Sequence, residues 1–173
     1  MLPTKEERRQ PPAFDWTFWF RWVLVSTLGW LIGLFLPQEA APALGGAMGL
    51  LQWLVLRRLI PEAGWWILAT TLGWAGGYLL TLYVLPAEII VLQGILIGLI
   101  IGVMQWLALQ RWVRRAGWWL LVSALAWAIG PILGPTLTGG VIGAVTGFAL
   151  ELLTRPLRIA DTAEDEETRP SVR

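Results

Sequence analysis

Between residues 16 and 153 the chain consists of six apolar stretches near the length that crosses a lipid bilayer, joined by connections too short for more than a turn. They run over 16–36, 41–60, 65–85, 89–109, 117–135 and 138–153, and are punctuated by Pro37, Pro42, Pro61, Pro86, Pro131 and Pro135. About 20 apolar residues of helix match the hydrocarbon thickness, and proline ends a helix by removing a donor and clashing with the preceding turn. Apolar residues make up 56% of the 173 and charged residues 14%, against a usual charged share of about 25%. The mean hydropathy is +0.62. A water-soluble domain of this length could not hide so much apolar surface. The expected fold is therefore all-α, a polytopic membrane protein of six transmembrane helices. The sixth stretch is the shortest, and the sequence leaves open whether it crosses fully.

Basic residues set the expected orientation. Lys5, Arg8, Arg9 and Arg21 precede or open the first stretch, Arg57 and Arg58 end the second, and Arg111, Arg114 and Arg115 separate the fourth from the fifth. Arg155, Arg158, Arg169 and Arg173 follow the sixth, which accounts for all 13 basic residues. Six spans with both termini cytoplasmic explain every one, and five or seven spans would scatter them to both sides. Residues 1–15 are then a cytoplasmic N-terminal tail. The transmembrane domain is 16–153, made of hairpins 16–60, 65–109 and 117–153, and 154–173 form a cytoplasmic tail expected to be disordered. The first stretch resembles a signal peptide in its basic flank and in Ala40–Ala41. Its length, and its match to stretches three and five, argue for a retained helix.

That match is part of an internal repeat. Gln52-Trp53-Leu54-Val55-Leu56 recurs as Gln105-Trp106-Leu107-Ala108-Leu109, and Ala63-Gly64-Trp65-Trp66 as Ala116-Gly117-Trp118-Trp119. Both pairs share one offset, which points to duplication. In the odd stretches Trp22, Ser26, Gly29, Trp30 and Gly33 match Trp66, Thr70, Gly73, Trp74 and Gly77, and then Trp119, Ser123, Ala126, Trp127 and Gly130. On a helix these positions share an arc of roughly 100°. In the even stretches Gly45, Gly49 and Gln52 match Gly98, Gly102 and Gln105, while the third copy keeps Gly139 and Gly143 but has Thr146 for the glutamine and Glu151 where Arg57 would stand. Three hairpins of like orientation predict pseudo-threefold symmetry about the membrane normal, not the inverted repeats of many carriers.

Gln52, Gln105 and Thr146 are the candidate interior polar residues. An amide facing lipid would leave donors unsatisfied, so they are expected inside, bonded to each other or to a neighbour's hydroxyl as interhelical glue at roughly 1 kcal/mol. The alternative is a polar ring lining a solute route or a headgroup site. Trp30, Trp74 and Trp127, with Ser26, Thr70 and Ser123, form a second candidate set: close packing, or a pocket for a flat apolar ligand such as a quinone, carotenoid or sterol-like lipid. Trp16, Trp19, Trp22, Trp65, Trp66, Trp112, Trp118 and Trp119 are expected as interfacial anchors. Arg57, Arg58, Arg111, Arg114 and Arg115 are candidate contacts for anionic headgroups, at about 1 kcal/mol per charge. Every stretch carries a small-xxx-small ridge that permits close helix packing, and a ridge left exposed would serve a partner protein or a homo-oligomer.

Other chemistries find little material. There is no Cys and no His, so no disulfide framework and none of the commonest metal ligand or general base. A net charge of +1 does not suit a nucleic-acid binder. No ionisable residue falls in mid-span, where proton-coupled carriers and voltage sensors keep theirs. Glu151 and Arg155 are spaced for a helix-end pair. Neither an enzymatic activity nor a cofactor is expected.

The tandem Q-W-L-x-L strings at Gln52 and Gln105, each followed by A-G-W-W, resemble a group of uncharacterised multi-pass bacterial membrane proteins. The resemblance covers residues 21–153 and weakens in the last hairpin; it implies a multi-pass membrane setting and no chemistry. Twelve Arg against one Lys fits a GC-rich bacterial genome, and a bacterial plasma membrane is the expected location. The expected role is structural or accessory, packing against lipids or a larger complex. The alternatives are a small-solute channel along the pseudo-axis and a binder of an apolar cofactor or lipid between the Trp-bearing faces.

Overall fold

A computed structural model describes the backbone of residues 13–60, 62–83 and 89–167, and their side chains except at 38 and 158–167. The tail up to residue 12, Glu88 and the chain beyond 167 lie outside the described residues, as do Pro61 and Pro86. The described residues contain six α-helices and no strand: α1 Trp16–Gly33, α2 Ala41–Leu56, α3 Trp65–Tyr83, α4 Ile90–Leu109, α5 Trp118–Ile129 and α6 Pro135–Glu167. Short 3-10 turns, Gln38–Ala40 and Gly130–Leu133, precede α2 and follow α5.

Local chemistry sets the helix ends. The Asp15 side chain accepts the Phe18 N–H at 2.9 Å and caps α1, leaving one fewer orphan donor in the first turn. Gly134 adopts φ +92°, a left-handed conformation open to glycine at little cost. It lets the chain reverse directly into α6, whose first residue, Pro135, loses no helical hydrogen bond there. The Thr138 hydroxyl lies 3.1 Å from the Gly130 carbonyl oxygen and 3.0 Å from that of Gly134, tying this turn to α6.

Two elements differ from the sequence expectation. The fifth stretch is α for only Trp118–Ile129, because Pro131 removes a donor and the chain tightens into a 3-10 turn. The sixth is far longer than 138–153. It runs from Pro135 to Glu167, so residues 154–167 are helical where a disordered tail was expected. Glu151 and Arg155 pair at 3.0 Å across one turn, the Thr154 hydroxyl donates to the Leu150 carbonyl, and Leu157 still packs on the core. These contacts carry the helix past the point where apolar content falls. Ile90–Leu109 and Pro135–Leu157, with mean hydropathies of 2.2 and 1.5, are long and apolar enough to cross a membrane. Helix α2 is short at 16 residues and α5 at 12.

The six helices form a closed ring in chain order, each packed on its sequence neighbours and α6 returning to α1. Three pairs, α2–α3, α4–α5 and α6–α1, meet through matching glycines. A Cβ on Gly45 would lie 2.7 Å from Trp74 Cβ, one on Gly98 2.8 Å from Trp127 Cβ, and one on Gly139 would run into Trp30 Cβ. One turn along, Gly49, Gly102 and Gly143 would meet Thr70, Ser123 and Ser26 Cβ at 3.1, 3.0 and 2.9 Å. Every ridge glycine except Gly134 faces atoms of its own chain in this way. The ridges are thus packed inside the ring, Gly134 apart.

Polarity across the bundle is inverted relative to a soluble protein. Ser26, Gln52, Thr70, Gln105, Ser123, Thr138, Thr146, Glu151 and Thr154 are buried, while Leu24, Leu28, Leu50, Leu54, Leu68, Leu72, Leu121 and Leu125 face outward. Trp22, Trp66 and Trp119 fill the core near the basic residues, together with Leu56, Leu109 and Leu150.

The glycine contacts give a direct prediction. Gly98→Ala sets a methyl 2.7 Å from the Ser123 carbonyl oxygen, which is backbone and cannot yield unless α4 and α5 separate. The expected loss is about 1–3 kcal/mol. Gly46→Ala meets only Thr71 Oγ1 at 3.4 Å and should be neutral or stabilising by up to about 1 kcal/mol. Equilibrium unfolding in mixed micelles measures both.

Candidate functional site

The ring encloses an axis built in layers. At the end away from the basic residues, Trp30, Trp74 and Trp127 form a triangle with centroid separations of 6.0, 5.5 and 5.8 Å. Nearer the basic end, Trp66 stands edge-on to Trp22 at 5.7 Å and to Trp119 at 5.6 Å. Such edge-to-face pairs are worth about 0.5–1.5 kcal/mol beyond their burial. Each layer takes one residue from each odd helix, at the first and fourth positions of the repeated face.

Between the layers lies a hydrogen-bonded polar belt. Trp66 Nε1 donates to Gln52 Oε1 at 2.9 Å, and Gln52 Nε2 donates to Ser26 Oγ at 3.1 Å. One repeat on, Trp119 Nε1 donates to Gln105 Oε1 at 3.1 Å, and Gln105 Nε2 to Thr70 Oγ1 at 3.1 Å. Each glutamine therefore bridges two odd helices. The amides do not bond each other, the first of the two expected arrangements, because each is occupied by an indole and a hydroxyl.

At the third position Trp22 Nε1 donates to Thr146 Oγ1 at 3.0 Å, and the Thr146 hydroxyl returns to its own Ile142 carbonyl at 2.6 Å. Threonine is too short to reach Ser123, which instead donates to the Gly98 carbonyl at 2.7 Å. The belt is thus open at one of three points. A void of about 40 Å³ lies among these residues, room for a water or two by the usual size criterion.

All three members of the first candidate set, and Ser26, Thr70 and Ser123 from the second, come together in this belt. Trp30, Trp74 and Trp127 close it on one side. Trp22, Trp66 and Trp119 are corrected: they are interior, at 0%, 2% and 1% exposure, where interfacial anchors were expected. Their neighbours Trp65 and Trp118 are the exposed members of each Trp-Trp pair. Consecutive helical residues point about 100° apart, so one partner faces in and the other out. The available signal was the repeated face itself, which contains Trp22, Trp66 and Trp119 but not Trp65 or Trp118.

The five candidate headgroup residues Arg57, Arg58, Arg111, Arg114 and Arg115 are exposed at one end. Arg57 lies 5.0 Å from the Trp53 ring centroid, and Arg111 lies 5.3 Å from that of Trp65. Glu151 was underrated by sequence. It is fully buried, accepting the Asp15 backbone N–H at 3.1 Å on one oxygen and Arg155 on the other. A helix-end pair is present, but the same carboxylate also clamps the start of α1.

Beyond the Trp30–Trp74–Trp127 triangle the ring opens into a vestibule of about 420 Å³. Its wall comes from α1 to α4 and includes Leu34, Leu44, Tyr78, Thr81 and Ile97. Among the described residues no three His, Cys, Asp or Glu side chains stand close enough to hold a metal. The buried hydroxyls are engaged by amides, an indole and backbone carbonyls. No protein-family model, curated protein or solved structure matches this chain.

The belt predicts a double-mutant result. Gln105→Leu orphans the Trp119 indole N–H, and Trp119→Phe orphans the Gln105 carbonyl oxygen, each at about 1–3 kcal/mol including the unmet partner. The double variant should cost less than the sum by about 1 kcal/mol. Strict additivity in the unfolding free energies would show that the two groups are not bonded.

Proposed function

We propose that this chain is a non-enzymatic integral membrane protein, a compact bundle of six membrane helices whose role is structural or accessory, against lipids or within a larger membrane complex. The observation that carries the reading is the inverted polarity: leucines on the outside, amides and hydroxyls within. An apolar exterior of this extent has no stable home in water. Lipid rewards it, and lipid equally demands that interior polar groups find each other. The matching glycine and indole contacts of α2–α3, α4–α5 and α6–α1 support a thrice-repeated hairpin with pseudo-threefold symmetry. Helices α2 and α5, at 16 and 12 residues, would cross through local thinning of the bilayer, which accommodates a helix shorter than the hydrocarbon.

The described basic residues cluster at one end of the bundle, which favours both termini in the cytoplasm under the positive-inside rule. The arginine-rich composition and the tandem Q-W-L-x-L and A-G-W-W motifs favour a multi-pass protein of a bacterial plasma membrane. Arg57 and Arg111, braced on indoles at that end, are suited to anionic headgroups.

A channel along the axis is disfavoured. The polar belt is bounded by tryptophans on both sides, and its void of about 40 Å³ does not extend into a route. Stopped-flow measurements on proteoliposomes test this. Urea and glycerol should equilibrate no faster than in protein-free vesicles. A protein-dependent acceleration, lost in Gln105→Leu, would replace this reading with the channel.

A further inference from the structure

The vestibule beyond the Trp30–Trp74–Trp127 triangle has a chemistry of its own. Its volume of about 420 Å³ falls in the range of about 300–1,000 Å³ typical of small-molecule sites. Its wall is mainly aliphatic and aromatic, and among the described residues no carboxylate or basic side chain lines it. A charged guest would lose its hydration and gain no counter-charge.

Two of the rings that line it carry N–H donors with no partner among the described residues. Of the six indoles in the two tryptophan layers, those of Trp22, Trp30, Trp66 and Trp119 each donate Nε1–H to a protein oxygen. Trp74 and Trp127 donate to no described protein atom. Neither nitrogen is among the fully enclosed unpaired atoms, so each reaches open space, although Trp127 as a residue is only 7% exposed. Both rings line the vestibule and also the small void of the belt. Indole N–H donates and cannot accept, so its complement is an acceptor oxygen.

We propose that the vestibule binds a neutral, apolar molecule carrying a carbonyl oxygen, with its body between the aliphatic walls and its carbonyl toward the N–H groups of Trp74 and Trp127. This goes beyond the packing role. A carbonyl of this kind is available from a membrane-soluble ketone or quinone, or from the ester of a lipid chain.

The test uses the full chain in detergent micelles, with proton–nitrogen correlation NMR of the indole groups. Trp74→Phe and Trp127→Phe assign the two signals. The probes are menadione and methylnaphthalene, which share a fused-ring body and differ in the two carbonyls. The absence of Cys leaves menadione no thiol to alkylate. Menadione should move the Trp74 and Trp127 signals saturably and leave the other indoles in place. Methylnaphthalene should bind about tenfold more weakly, the usual worth of a lost hydrogen bond. Ala41→Phe, which fills the vestibule wall, should weaken menadione binding by at least about tenfold, as expected for a blocked site.

Competition by a short-chain phosphatidylcholine would support the site and identify a lipid ester as its source. Its failure to compete would support the site and assign it to a free carbonyl compound. The proposal falls if the shifts do not saturate, spread over all indoles, or are equal for the two probes. The titration is read in micelles and does not depend on how the chain crosses a membrane, so a failed topology and a failed site are separable.

Discussion

Each indole of Trp66 and Trp119 reaches a glutamine of the preceding even helix only because that helix presents glycine to the same face. Gly49 and Gly102 bring the backbones close enough for Trp66 Nε1 and Trp119 Nε1 to meet Gln52 and Gln105 at 2.9 and 3.1 Å. With a larger residue at either glycine the helices would stand apart, the amide would lose its indole partner, and polar groups would be left unpaired in an apolar interior at a cost well above the bond itself. Close approach and hydrogen bonding are thus one constraint. The two tryptophan layers follow from it, since the odd helices can lean together over the belt only when the even helices between them are thin.

The α6–α1 seam is where that constraint is relaxed, and it is also where the ring must close on itself. Thr146 supplies one hydrogen bond where a glutamine supplies two. Other contacts act at the same seam. Trp19 Nε1 donates to the Ala144 carbonyl and Trp30 Nε1 to that of Pro135, Glu151 holds the Asp15 N–H, and Phe14 stacks on Phe148 at 5.3 Å. The seam joins residues more than a hundred positions apart, so it carries the largest loop-closure cost in the ring. Its bonds are spread along the helix pair from end to end, unlike the central belt that fastens α2–α3 and α4–α5. Glu151 at the position of Arg57 then has a physical meaning: it supplies an acceptor for the backbone N–H of Asp15 at the start of α1.

Much of this arrangement was legible in the sequence because spacing encodes helical faces. The match of Trp22, Ser26 and Trp30 to later residues gathered the side chains that surround the belt, and the prolines marked most helix ends. Three things were not legible, each for a physical reason. Depth in the chain does not tell an interfacial indole from a buried one, so Trp66 and Trp119 were grouped with Trp65 and Trp118 although adjacent residues point in different directions. Amide partners depend on side-chain reach across a seam, which a spacing pattern does not contain. Charge density near Glu164 suggested disorder, yet helix α6 continues to Glu167 because a helix already started, and still gripped by Leu150 and Thr154, is easy to propagate.

Site-directed labelling tests the central claim most directly, that this inverted bundle sits across a membrane with its basic end inside the cell. The chain has no Cys, so single substitutions R58C, R115C, E39C and T136C each report one site. In intact spheroplasts a membrane-impermeant maleimide should label E39C and T136C, and should reach R58C and R115C only after the membrane is opened. Equal labelling of all four in intact cells, or labelling of R115C with protection of T136C, would contradict it.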